Sequence, residues 1–183
     1  ARANLWVLSL GGVPAEWSMA LVAVARAMAS KSARVVVVDL AASGSHVDML
    51  FGLPPGPGFV DLMAGTADFT KVIVRDPSSS AHLLRFGFER REQSMTLLSQ
   101  RTDAVLIALG KIYDVVIVHA GEAAASTPAL VAKCQAALLL APAKRQGEVD
   151  KAARALAMEG QVAVQFVKLE PWNRSPVKLT ASA

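Results

Sequence analysis

Short runs of β-branched and leucine residues, separated by stretches with helical apolar spacing, restrict the fold of this chain more than any other feature. The runs are Leu5–Leu10, Arg34–Leu40, Ala81–Phe86, Tyr113–His119, Ala136–Ala141 and Val162–Val167. Between them the pattern predicts helices over Ser18–Ser30, Val47–Phe51, Phe59–Ala64, Ser94–Leu109, Thr127–Lys133 and Glu148–Glu159. Strands alternating with helices along nearly the whole chain predict an α/β fold, a mostly parallel central sheet flanked by helices on both faces. A run such as "VVVV" at Val35–Val38 suits a strand buried on both sides. The longest gap in the pattern, "LPPGPG" at Leu53–Gly58, carries prolines and glycines that stop both helix and strand, so it is read as an irregular turn.

A length of 183 residues suits one domain, placed at residues 1–170, with a polar, proline-containing tail over 171–183. The 53% hydrophobic content would suggest a membrane span if it were contiguous, but the longest apolar stretches fall far short of the roughly 20 residues a spanning helix needs. The net charge of +4 is scattered, apart from "FERRE" at Phe88–Glu92, and no aromatic platform is interleaved with it, so nucleic acid is not an expected partner. A single cysteine, Cys134, cannot close an internal disulfide and fits a reducing cytoplasm; it reads as a small buried apolar residue. The first residues show no signal-peptide pattern, and the chain reads as a domain of something longer.

In a sheet of this kind ligands sit at the carboxyl ends of the strands, which directs attention to the loops after Leu10, Val38 and Val118. The first has the spacing of a phosphate-binding loop, G-x-x-x-x-G-K-[ST], from Gly11 through Gly12 to Ser18. The essential Gly-Lys pair is occupied by Glu16 and Trp17. A dinucleotide fingerprint does not fit "GGVPAEW", which lacks the second and third glycines at the required spacing.

Asp39–Pro54, "DLAASGSHVDMLFGLP", then "PGFVDLMAG" at Pro57–Gly65 and "YDVVIVHAGE" at Tyr113–Glu122 together resemble the cytoplasmic ATPase domain of bacterial polysaccharide co-polymerases. This is the bacterial tyrosine kinase family, close to the ParA/MinD ATPases with a deviant Walker A loop. The resemblance runs from about Leu5 to Leu169 and implies a P-loop NTPase-like fold; "FGLPPGPGFVDLMAG" is its most specific part.

The departures fall on the chemistry. Trp17 replaces a lysine that would reach the phosphates, and Glu16 sets a negative charge against a polyanion. Exchanging an attraction for a repulsion at about 4 Å and an effective dielectric near 20 is worth several kcal/mol against binding. Ser18 retains the hydroxyl that the family directs at magnesium. Asp39 keeps the first carboxylate of the family's D-x-D, but Ala41 stands at the second, the position implied for the general base. The Walker B carboxylate is replaced by His119, and imidazole is a poor ligand for a hard cation.

Other readings of these residues are blander. His119 is expected to cap its strand and bond to a backbone group or to Asp39, in preference to a new acid–base site with Glu122. Trp17 either fills the vacated nucleotide space or lies exposed as an interaction anchor. His46 and His82 have no ligand spacing around them. The single tyrosine, Tyr113, starts a buried strand and so does not supply the C-terminal tyrosine cluster of the kinases.

The resulting expectation is a catalytically inactive scaffold or regulator of exopolysaccharide or capsule synthesis and export, at the inner face of the bacterial inner membrane. No catalytic residue, ATP, magnesium or other metal is expected. The expected partner is a membrane co-polymerase or adaptor, with homo-oligomers or pairing with an ATPase paralogue open. One alternative is an active ATPase or kinase with a relocated lysine, Lys31 or Lys111, though both are expected at the opposite edge of the sheet. The other is a ParA/MinD-like positioning factor, which works through a lysine that Gly11–Arg26 lacks.

Overall fold

The structure, a computed structural model, describes residues 3–9, 14–41, 47–88, 100–122, 136–142, 147, 150, 154 and 163–169. In chain order its elements are β1 (Ala3–Ser9), α1 (Pro14–Ala29), β2 (Val35–Asp39), α2 (Val47–Leu50), α3 (Phe59–Ala64) and α4 (Phe69–Val72). These are followed by β3 (Ile73–Arg75), β4 (His82–Leu84), α5 (Gln100–Ile112), β5 (Val115–Glu122), β6 (Ala136–Pro142) and β7 (Ala163–Leu169). The strands form one seven-stranded sheet in the order β3-β4-β2-β5-β1-β6-β7. All pairs are parallel except β3 with β4. The expected α/β architecture is therefore the observed one.

Side chains alternate across a strand, and β2 shows what that does in a sheet covered twice. Val36 and Val38 pack with Val116, Val118, Phe59, Val72 and Leu109 on the side of α3, α4 and α5. Val35 and Val37 pack with Ile117, Leu21, Ala25 and Phe51 on the side of α1 and α2. All four valines are fully buried. Arg26 pins the second layer: it makes a bidentate pair with Asp76, Nε–Oδ2 at 2.7 Å and Nη2–Oδ1 at 2.9 Å, and its guanidinium lies 5.6 Å from the centre of the Phe51 ring.

Several boundaries differ from expectation for identifiable reasons. Helix α1 starts at Pro14, not Ser18, because proline is well suited to a helix's first turn, where its missing N–H is not needed. Strand β4 is shorter than Ala81–Phe86, since the Arg85 and Phe86 carbonyls accept from Phe59 N–H (2.7 Å) and Val60 N–H (2.9 Å) instead of extending the ladder. Strand β5 continues past His119 to Glu122, which pairs with Ser9 beyond a register shift that takes up one extra residue of β5. Helix α5 runs on to Ile112. Helix α4 and strand β3 were not expected; they are short and sit at the sheet's antiparallel edge. The "LPPGPG" segment is neither helix nor strand, as read.

The predicted helix over Thr127–Lys133, the start of the predicted α5 at Ser94–Ser99, Cys134, and the tail at 171–183 lie outside the described residues. Of Glu148–Glu159 only Asp150 and Arg154 are described, both helical. Among the described residues no helix is long and apolar enough to cross a membrane.

Candidate functional site

The parallel register carries the carboxyl ends of β1, β2 and β5 to one edge, with β2 and β5 directly adjacent. Their last paired residues are Asp39 and His119. Both side chains are buried, 4% and 6% exposed, and His119 Nδ1 lies 3.0 Å from Asp39 Oδ1. A carboxylate only accepts, so the imidazole donates through Nδ1–H and Nε2 becomes its lone-pair nitrogen when neutral. Asp39 Oδ1 also accepts the Ala41 N–H at 3.1 Å, and the Leu40 N–H donates to the His119 carbonyl at 2.8 Å. The expected bond between His119 and Asp39 is present. The expected strand cap is not, because His119 lies within β5.

The position expected for the third loop, after Val118, therefore lies within β5, which runs to Glu122. At the first loop, β1 ends at Ser9 and α1 begins at Pro14, so Glu16 and Trp17 stand in the first turn of the helix. In a phosphate-binding loop the N–H groups of the loop and of the helix's first turn face the anion, so these two residues occupy the place of the clamp without its glycine or its charge. Ser18 is buried at 1% exposure in α1, and Ala41 is buried just past β2. Gly11, Gly12, Ser43, Gly44, Ser45 and His46 lie outside the described residues, as do Glu89–Glu92. Among the described residues no three His, Cys, Asp or Glu side chains converge in a way that could hold a metal ion.

Two charged residues at this edge were not singled out from the sequence. Arg85, just beyond β4, is 6% exposed and donates through Nη1 to the Pro54 carbonyl at 2.7 Å, while its buried Nε has no partner. Asp48, in the first turn of α2, has its carboxyl pushed up by burial, against the pull of Arg85 and with a further push from Asp39. An arginine in the apolar run "HLLRF" was the available sign. The guanidinium packs against the backbone of Gly56, where a Cβ would collide with it, so the proline-rich segment is moulded around this side chain.

The other candidates separate from the site. Lys31 follows the carboxyl end of α1 and Lys111 lies in the last turn of α5, each leading into the start of a strand at the opposite edge, as expected. Tyr113 is buried at 7% exposure just before β5, its hydroxyl held neutral to higher pH by burial, and its ring meets His82 edge to face at 5.6 Å. Burial, with the nearby Arg75 charge, lowers the His82 imidazole.

No family model and no curated protein sequence matches the chain. Solved structures do match in fold. The kinase domain of VpsO superposes with a TM-score of 0.83 at 18% identity, covering 94% of this chain and 86% of that one. The kinase domain of the Escherichia coli tyrosine kinase ETK gives 0.83 at 18% identity, covering 100% and 72%. The septum site-determining protein MinD of Pyrococcus horikoshii, solved with Mg-ADP, gives 0.76 at 18% identity, covering 96% and 72%. The architecture is thus the P-loop fold of the bacterial tyrosine kinase domains and the MinD/ParA ATPases.

Proposed function

We propose that this chain is a catalytically silent version of the nucleotide-dependent fold it shares, acting through its surfaces as a scaffold or regulator. Its expected setting is exopolysaccharide or capsule synthesis and export, at the inner face of the bacterial inner membrane. The partner would be a membrane polysaccharide co-polymerase or adaptor, or a second subunit of the same fold. The resemblance carried by the "FGLPPGPGFVDLMAG" segment supports this setting, and likeness to the VpsO and ETK kinase domains supports the fold on which it rests.

The observation that carries the loss of chemistry is the Asp39–His119 pair. On this reading a magnesium nucleotide of the kind held by the Pyrococcus MinD does not fit the edge. Asp39 Oδ1 already accepts from an imidazole and from a backbone N–H, and the residue facing it across the ladder is no carboxylate. Phosphoryl transfer on this fold needs a phosphate clamp, a metal and a positioned base together. Trp17, His119 and Ala41 stand at those three places. The buried Tyr113 is equally unsuited to be a kinase substrate.

Incubation with Mg-ATP followed by measurement of released phosphate tests the proposal. The expected result is no release above a protein-free blank. Release that scales with protein concentration would return the chain to the enzymes.

A further inference from the structure

We infer that the His119 imidazole is an internal surrogate for a divalent cation, tying Asp39 at the end of β2 to β5 so that the edge is assembled without ligand. The inference rests on the proposed nucleotide-independent role and specifies how the fold manages it.

The contact is built by the sheet. Asp39 and His119 are 80 residues apart in sequence, yet the β2–β5 ladder makes them register partners at the point where it ends. The main-chain bond from Leu40 N–H to the His119 carbonyl fixes both Cα positions around the contact. A buried carboxylate without donors is strongly destabilising, and one facing a second buried carboxylate more so. A cation between two such groups is one solution. Here a hydrogen-bond donor on the facing strand is the other, supplemented by the Ala41 N–H.

The second carboxylate of the edge is handled differently: Asp48 Oδ1 is buried without a hydrogen-bond partner, and burial pushes its carboxyl up. Asp48 on α2 feels the Asp39 charge, and Arg85 at the end of β4 counters it from the neighbouring strand. Only Asp39 therefore has a bonded counterpart on a facing strand, His119 of β5. At Asp39 the arrangement replaces a cation with donors the protein itself supplies, which suits a permanent docking unit.

The test uses the whole chain in three forms. In the wild type, ¹⁵N NMR of the imidazole is expected to show His119 protonated at Nδ1, with its signals unmoved by millimolar MgCl2. His119→Asp sets two carboxylates across the ladder. Its folding equilibrium in EDTA at neutral pH is expected to fall at least about tenfold, since breaking a buried pair leaves a charge uncompensated. Millimolar Mg²⁺ is expected to restore it. His119→Gln, which keeps a donor, is expected to retain more stability than His119→Asp in EDTA and to ignore Mg²⁺. A variant His119→Asp as stable in EDTA as the wild type, or one that Mg²⁺ does not rescue, would overturn the surrogate role. So would an imidazole unprotonated at Nδ1, a reading that survives even if His119→Asp fails to fold. If His119→Asp ignores Mg²⁺ while the wild type ignores Mg-ATP, the surrogate fails and the nucleotide-free function stands. If the wild type binds Mg-ATP, the proposed function fails whatever the variants do.

Discussion

At the scale of single residues, the polar groups buried in this molecule divide by purpose. Asp76 is a structural anchor: fully buried, it holds Arg26 through two oxygens and accepts from Ser78 N–H and the Ser79 hydroxyl. These partners, Arg26 first, depress its carboxyl to about 2. A depressed carboxylate stabilises the fold above its unfolded value near 3.9 and loses that contribution as the pH falls through the folded one. Asp76→Asn is therefore expected to lower stability by about 2 kcal/mol at neutral pH. The gap to the wild type should narrow between roughly pH 4 and pH 2. Denaturant titrations at a series of pH values measure both, and a gap independent of pH would contradict the assignment. Asp39 belongs to the other class. Its bond to His119 was readable from the sequence because both residues ended predicted neighbouring strands. Arg85 and Asp48 were not readable, because their burial depends on how the proline-rich segment folds back over β4.

Among elements, that segment is the most tightly specified. Gly58 is wedged where a Cβ would run into the Arg85 carbonyl oxygen and the Gly87 nitrogen, both immovable backbone. The Asp61 carboxylate closes the knot by accepting from Gly58 N–H at 2.9 Å and Phe88 N–H at 3.3 Å. Gly65, at the end of α3, has φ of +75° with open space around it. Gly65→Ala is expected to cost only about 1 kcal/mol, for the left-handed backbone alone. Gly58→Ala should cost several times as much, roughly 3 kcal/mol or more, because two backbone segments must part. Thermal or chemical unfolding of the two variants ranks them, and equal losses would refute the packing argument. Helix α1 supplies the functional counterpart. Because Glu16, Ala41 and His119 would remain, restoring the one side chain on this helix is not enough, and Trp17→Lys alone is expected to gain no measurable ATP affinity. Tight binding by that variant would show that the missing charge was the whole defect. The motif spacing concealed the start of α1 at Pro14, and a proline suited to a helix's first turn was the sign left unread.

For the molecule as a whole, the alternation of strand and helix patterns made the parallel sheet and both flanking layers legible. The short, locally ambiguous stretch Phe69–Arg75 hid α4 and the antiparallel edge strand, since neither carries a full period of its pattern. The chemistry was legible as substitutions, and the geometry gives their consequence at the centre of the sheet, where β2 and β5 meet. On the proposed reading the frame that presents a nucleotide edge is kept, with Asp39 satisfied by His119 and the Ala41 N–H. Isothermal titration of the wild-type chain with Mg-ATP is the most direct test of this account. It predicts no saturable heat up to millimolar nucleotide; a saturable isotherm with micromolar affinity would contradict it.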